Sequence, residues 1–268
     1  MINQSQNLDS TAIQGTSIPI DSIDLRGTSS SRGFVFLEGT LKEVNAIASI
    51  AMNSGVETEV FVGDEGSEAN FKRLSGKDID VLHIATHGFY YSPKKHKDEI
   101  ATDQLFFEYN THFSDINNEI ADEDKMLTRS GLVMAGANNV VRKEPIPEGV
   151  QDGILHADEI ANMNLSNVSL LVLSACQSGL GQVVSSEGVF GLQRGFKKAG
   201  VKSIVMSLWP VNDDATRILM TEMYKNLAAG QTKREALSNA QNTLRTYSGG
   251  VFDKPEFWAA FIIIDSVD

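Results

Sequence analysis

Short unbroken apolar runs bounded by turn residues recur along the chain. Between them lie stretches whose apolar positions repeat at intervals of three and four. The first spacing predicts strands buried on both faces, the second amphipathic helices. Gly33–Leu37 reads as a first strand. Thr40 and Glu43 then form a capping-box pattern, with Val44, Ile47, Ala48 and Ala51 on the apolar face of the helix it opens and Gly55 at its end. Glu57–Val62 alternates like a second strand, and Ser67 can cap a short helix carrying Phe71 and Leu74. Ile79–Ala85 is a buried strand that ends in Thr86-His87-Gly88.

The stretch 90–127 has no regular period and carries Lys94, Lys95, His96 and Lys97 together with acidic residues between Asp115 and Asp124. Ser130–Gly136 reads as another strand, 137–151 as a polar insertion and His156–Met163 as a short helix. Leu170–Ser174 is a short apolar run that reads as a strand buried on both faces and leads into Cys176, with Gln177-Ser178-Gly179 as a turn. Ser186 and Glu187 can open a helix whose face holds Val189, Leu192, Phe196 and Ala199, with Gly200 ending it. Lys202–Leu208 is a strand. Asp213 or Asp214 then caps a helix bearing Leu219, Met220, Met223, Tyr224 and Leu227. Thr232 and Glu235 make a second capping box, ahead of Leu237, Ala240 and Leu244, and Phe257–Ile264 is the last strand. Strands alternating with helices predict one α/β domain with a mainly parallel sheet, over residues 33–268. The Ser/Thr/Asn/Gln-rich residues 1–32 read as a flexible linker or the ragged start of a fragment.

Composition narrows the function. Hydrophobic residues are 41% of the 268, enough for a real core. No apolar stretch approaches the ~20 residues of a membrane span, and the N-terminus lacks a secretory pattern. A cytoplasmic protein without a membrane role is the expectation. The net charge of −12 argues against direct binding to nucleic acid. A single cysteine excludes an internal disulfide framework and a multi-cysteine zinc site, and no cofactor is expected.

Cys176 is either a buried core thiol or a nucleophile. A thiol attacks a carbonyl as thiolate, and an imidazole close by both lowers its pKa and accepts its proton. His87, also at a strand end, is the candidate base. The backbone N–H groups of Gly88 and Cys176 are candidate oxyanion donors. His83 lies on the same face of its strand as His87 and reads as a core residue, although on a helix the pair would suit a metal. His96, His112 and His156 have no recognisable partner. The Asp115–Asp124 acids do not have the spacing of a calcium loop. Glu187 could line a substrate groove, but the first turn of a helix favours acids in any case.

Taken together, His83-Ile-Ala-Thr-His87-Gly88, Leu173-Ser-Ala-Cys176-Gln-Ser-Gly179, Gly191-Leu-Gln-Arg-Gly-Phe196, Ser207-Leu-Trp-Pro-Val-Asn-Asp-Asp-Ala-Thr216 and Trp258-Ala-Ala-Phe261 resemble, in order, the CHAT family of caspase-like proteases. The resemblance implies a caspase-like three-layer α/β/α sandwich with a mostly parallel central sheet. It implies a cysteine endopeptidase with His87 and Cys176 as the catalytic dyad, Gly88 in the oxyanion hole and no required third member. Separases, which are similar, bind the arginine before the scissile bond through an acidic residue at the position of Asp213, so Arg/Lys preference is expected. Metacaspases carry an Asp two residues before their cysteine, where this chain has Ser174. The family also implies a regulatory TPR or sensor module, a bacterial defence or cell-death pathway, and a protein substrate such as a gasdermin or another effector. Two other readings stay open: a non-catalytic caspase-like interaction domain, and a thiol hydrolase acting on a small substrate.

Overall fold

The computed structural model describes residues 34–90, 127–142, 144–146, 148–174, 187–209 and 211–265. In chain order they form α1 (Glu38–Asn53), α2 (Glu68–Lys72), β1 (Val81–Ile84), β2 (Gly88–Tyr90), β3 (Ser130–Val133), α3 (Ala137–Val141), β4 (Ile154–His156) and α4 (Ala157–Ala161). Next come β5 (Leu170–Leu173), α5 (Glu187–Lys198), β6 (Ser203–Ser207), α6 (Asp213–Ala228), α7 (Lys233–Thr246), α8 (Pro255–Trp258) and β7 (Phe261–Asp265).

The main sheet has the order β1-β5-β6-β7. β5 runs parallel to both neighbours, and β7 closes the sheet antiparallel to β6. The unbroken apolar runs of β5 and β6 follow from this position, since every residue of both strands is buried. Alternate side chains then part to opposite faces. Leu170, Val172 and Val205 pack with Ile47 of α1, Leu219, Met220 and Met223 of α6, and Leu237 and Leu244 of α7. Leu171, Leu173, Ile204 and Met206 pack with Phe71 of α2, Ile160 of α4, and Leu192 and Phe196 of α5. Helices therefore cover both faces, giving an α/β/α sandwich.

A second sheet, β2-β3-β4, is antiparallel throughout. The strand expected at Ser130–Gly136 belongs here, as β3, and not to the parallel sheet. Gly131 is needed at its centre, because a Cβ there would run into the Phe89 ring and the Leu155 carbonyl of the two flanking strands. β2 and β4, three residues each, are too short to announce themselves by periodicity.

Four further expectations are corrected. Residues 34–37 form no strand; the Phe34 backbone is instead tied in both directions to the Asn138 side chain, at 2.6 and 3.1 Å. The first helix starts at Glu38 with Leu37 as N-cap and no side-chain cap, so the Thr40–Glu43 box does not form. Residues 57–62 form no strand either. Their alternation buries nothing, Phe61 and Val62 being exposed, so the pattern lacks the face that would stabilise it. Pro255–Trp258 is a helical turn, and the last strand begins only at Phe261. The second capping box does form, with Thr232 Oγ1 accepting from the Glu235 N–H at 3.3 Å and Glu235 Oε2 accepting from the Thr232 N–H at 3.0 Å. Ser67 caps α2 through the Asn70 N–H, as its sequence suggests. The N-terminal segment 1–32, the stretch from Lys94 to Asp124 and Ser186 lie outside the described residues.

Candidate active site

β1 and β5 pair in parallel with Ile84 opposite Leu173, and the Ser174 N–H adds one more bond, to the Ile84 carbonyl at 2.9 Å. Beyond Ile84 the chain is handed to the second sheet. The Thr86 hydroxyl donates to the Val133 carbonyl at 2.5 Å, and the Val133 N–H donates to the His87 carbonyl at 2.8 Å. His87 therefore sits where the two sheets meet, at the C-terminal end of the parallel one, and is buried to 7% exposure.

Its ring is held from the segment before α1. Nε2 lies 2.8 Å from the Val35 carbonyl oxygen. A carbonyl only accepts, so Nε2 carries a proton and, in the neutral ring, the lone pair is on Nδ1. The Phe34 ring packs against the imidazole at 5.5 Å between centroids. The bond from Val133 to His87 also sets the direction of the Gly88 amide. In an antiparallel ladder the pair after a bonded one exchanges no hydrogen bond, and that pair is Gly88 with Leu132, so the Gly88 N–H points away from β3.

Asp213 is the first residue of α6 but not its cap. Asn212 takes that place, its Oδ1 accepting from the N–H groups of Asp214 and Ala215 at 3.0 and 3.1 Å. Neither Asp213 nor Asp214 is used for capping. Asp213 packs on α1 at Gly39, where an ideal Cβ would stand 2.9 Å from the Asp213 Cβ and 3.3 Å from its Oδ2. The residue as a whole is exposed. Even so, partial burial of the carboxyl, then the charges of Glu43 and Asp214, raise its pKa above the ordinary aspartate range, while the His87 imidazole pulls it down. The structure thus brings Asp213 to the His87 end of the sheet.

His83 and Glu43 make a polar contact inside the α1 layer. His83 points from β1 to Glu43 Oε1, 3.0 Å from Nε2, and to the Tyr224 hydroxyl, 3.2 Å from Nδ1. Glu43 is 3% exposed. Burial, then the Glu43 charge, push the Tyr224 phenol well above its ordinary value, so it stays a donor. His83 thus bridges the Tyr224 hydroxyl and the Glu43 carboxyl through its two ring nitrogens.

Cys176, with its backbone N–H and the turn Gln177-Ser178-Gly179, lies outside the described residues, as does the side chain of Glu187, which opens α5. His156 donates from Nδ1 to the Thr128 carbonyl at 3.0 Å. His96 and His112 are outside the described residues. Among the described residues no three His, Cys, Asp or Glu side chains gather as a metal site would require, and no helix is long and apolar enough to cross a membrane. Sequence reasoning missed the Val35 carbonyl and the Phe34 and Asn138 contacts. A backbone acceptor carries no side-chain signature, so nothing in the sequence marks it.

A mostly parallel sheet between two helical layers, with a histidine held at its C-terminal end, is an α/β/α sandwich of the caspase-like class. The CHAT domain family model matches residues 3–266, and the chain belongs to that family, a caspase-like, protease-related domain. The chain is also 32% identical over 117 residues to tetratricopeptide repeat protein 28 of Homo sapiens, and 32% identical over 113 residues to its counterpart in Mus musculus. These alignments take in 44% and 42% of this chain but only 5% and 4% of the relatives' length.

Proposed function

We propose that the protein is a cysteine endopeptidase working through His87 and Cys176. The observation that carries this is the register of β1 on β5. Ile84 lies opposite Leu173 on adjacent parallel strands, and His87 and Cys176 each come three residues later. Neighbouring strands are ~4.8 Å apart, so equal extensions from paired ends start within reach of each other. The end of a parallel sheet is also where such folds build their sites.

In this reading the Val35 carbonyl holds the imidazole proton on Nε2, and Nδ1 takes the thiol proton of Cys176. The thiolate sulfur bonds to the substrate carbonyl carbon while the Gly88 and Cys176 N–H groups hold the oxyanion. The tetrahedral adduct collapses, the C–N bond breaks, and Nδ1–H gives its proton to the leaving amine. Water, deprotonated by the same nitrogen, then attacks the thioester, and the acid product leaves with Cys176 restored as thiol. Asp213 selects Arg or Lys before the scissile bond by a charge-assisted contact, and Glu187 lines the groove. The family resemblance and the tetratricopeptide relatives support a setting beside a regulatory TPR or sensor module. The family resemblance also supports a specific protein substrate, a gasdermin or another effector, cleaved in a bacterial defence or cell-death pathway in the cytoplasm.

The test is digestion of a peptide library, read by mass spectrometry, with wild type and Cys176→Ala. Cleavage that disappears in the variant supports the dyad and reports the preferred residue. Silence in both, with Cys176 also inert to an acyloxymethyl-ketone probe, would leave the domain a non-catalytic interaction module.

A further inference from the structure

We propose, building on the dyad reading, that Glu43, His83 and Tyr224 are positioning residues for His87, and that they hold the Val35 carbonyl in place by clamping α1 onto β1. The Val35 carbonyl accepts from the imidazole, and it belongs to the three residues that lead from Val35 into α1 at Glu38. The N-cap of α1 makes no side-chain bond that would fix this turn. The first buried polar anchor on α1 is Glu43, one turn after Gly39 on the same face. Two ties therefore join the same two segments, Val35 to His87 and Glu43 to His83. Residues 35 and 43 bracket the start of α1, while 83 and 87 bracket the end of β1.

The clamp holds His83 by both of its ring nitrogens. With Nδ1 on the Tyr224 hydroxyl, His83 meets Glu43 through Nε2, and an ionised carboxylate there can only accept. Tyr224 lies three turns along α6 from Asp213, which itself seats Gly39 of α1. One network thus sets α1 against both β1 and α6. A buried carboxylate is a costly way to obtain stability alone, since well-packed apolar groups usually do as well. Its value here is register. The Asn138 tie to Phe34 is a second, independent hold on the segment, so losing Glu43 should loosen His87, not release it.

The experiment records the imidazole nitrogen signals of the uniformly 15N-labelled 268-residue chain, with His87 assigned by a His87→Gln sample, alongside the rate of Cys176 alkylation by iodoacetamide. Wild type should show His87 with its proton fixed on Nε2. In folded Glu43→Ala that signature should average between the two nitrogens, and alkylation should slow about 10- to 100-fold, the loss expected from ångström-scale misplacement. Glu43→Gln keeps an acceptor for His83 and should restore alkylation to within about threefold of wild type. A purely structural Glu43 would lower the melting temperature and leave the His87 signals where they are, which overturns the proposal. Should Glu43→Ala not fold, Tyr224→Phe decides. It frees His83 Nδ1, and unchanged His87 signals there would equally overturn the idea. The nitrogen signals need no substrate. A wild type that cleaves nothing and leaves the acyloxymethyl-ketone probe unreacted, while Glu43→Ala still shifts His87, would refute the peptidase reading and leave the clamp standing.

Discussion

Changing Asp213 to asparagine keeps the side chain's shape and its place at the start of α6, and removes only its charge. If Asp213 meets a substrate Arg or Lys, a charge-assisted hydrogen bond is lost, worth ~1.5–3 kcal/mol in a shielded site. Asp213 is exposed, so solvent screening cuts the figure to ~1–1.5 kcal/mol. At ~1.36 kcal/mol per factor of ten, kcat/KM for basic peptides should fall about 5- to 12-fold. Peptides with a neutral residue at the same place should be unaffected. The assay is competition between matched Arg and Gln peptides with wild type and Asp213→Asn.

The pH dependence sharpens the test. Because burial and the Glu43 and Asp214 charges raise the folded-state pKa, Asp213 loses its charge at a higher pH than an ordinary aspartate. Preference for Arg over Gln should therefore decline in wild type before pH has fallen to the usual aspartate range, and stay flat in the variant. Stability runs the other way. With the folded pKa above the unfolded one, the charge destabilises the fold at pH above the folded pKa, and the penalty disappears as the carboxyl protonates. Asp213→Asn should melt no lower than wild type near neutral pH, and the difference should vanish in acid. Equal loss on Arg and Gln peptides, or no loss on either, would refute the pocket assignment.

Three other outcomes test the fold. Leu171→Ala empties a fully buried site at the centre of β5 and should cost ~2–5 kcal/mol by urea titration; less than ~1 would mean the layer collapses around it. Thr232→Ala removes the hydroxyl that caps α7 and should cost ~1 kcal/mol in the same assay, with catalysis untouched because the neighbouring Lys233 bonds the Ser169 carbonyl at the start of β5, the end of the sheet opposite His87. Lys72→Met leaves Glu68, 3% exposed, without the ammonium it meets at 2.6 Å, and should cost ~1–3 kcal/mol, below the usual value for a buried pair because Lys72 is partly exposed. Burial already raises the Glu68 carboxyl above its ordinary pKa, so this loss should shrink as pH drops and Glu68 becomes neutral.

The core of this fold was legible because both faces of β5 and β6 are covered. Strands buried that way must be apolar at nearly every position, and runs such as Leu170–Leu173 have few other uses. Helices with a repeated apolar face were equally plain, Leu237, Ala240 and Leu244 being all buried. What failed was alternation without burial at 57–62, and short strands such as β2 and β4, whose pairing is set by partners distant in sequence. The candidate site divides by the kind of group involved. His87, Gly88 and Asp213 were named by residue type and order, whereas the group that holds His87 is a carbonyl, identical in every residue.

The two capping-box patterns show where local reading ends. Thr40 with Glu43 and Thr232 with Glu235 have the same spacing, and only the second closes. Glu235 is exposed and has no competing partner of greater worth among the described residues, so its carboxylate turns back to the Thr232 N–H. Glu43 faces the sheet, where His83 offers a buried donor, and leaving that donor unpaired would cost ~1–3 kcal/mol against the ~1 kcal/mol of a cap. The tertiary bond wins, and the helix starts a turn's fraction earlier, at Glu38, without a side-chain cap. The exchange matters for function more than for the helix. An uncapped α1 takes its position from Glu43 and from the Phe34–Asn138 tie, and both bear on the Val35 carbonyl that accepts from His87.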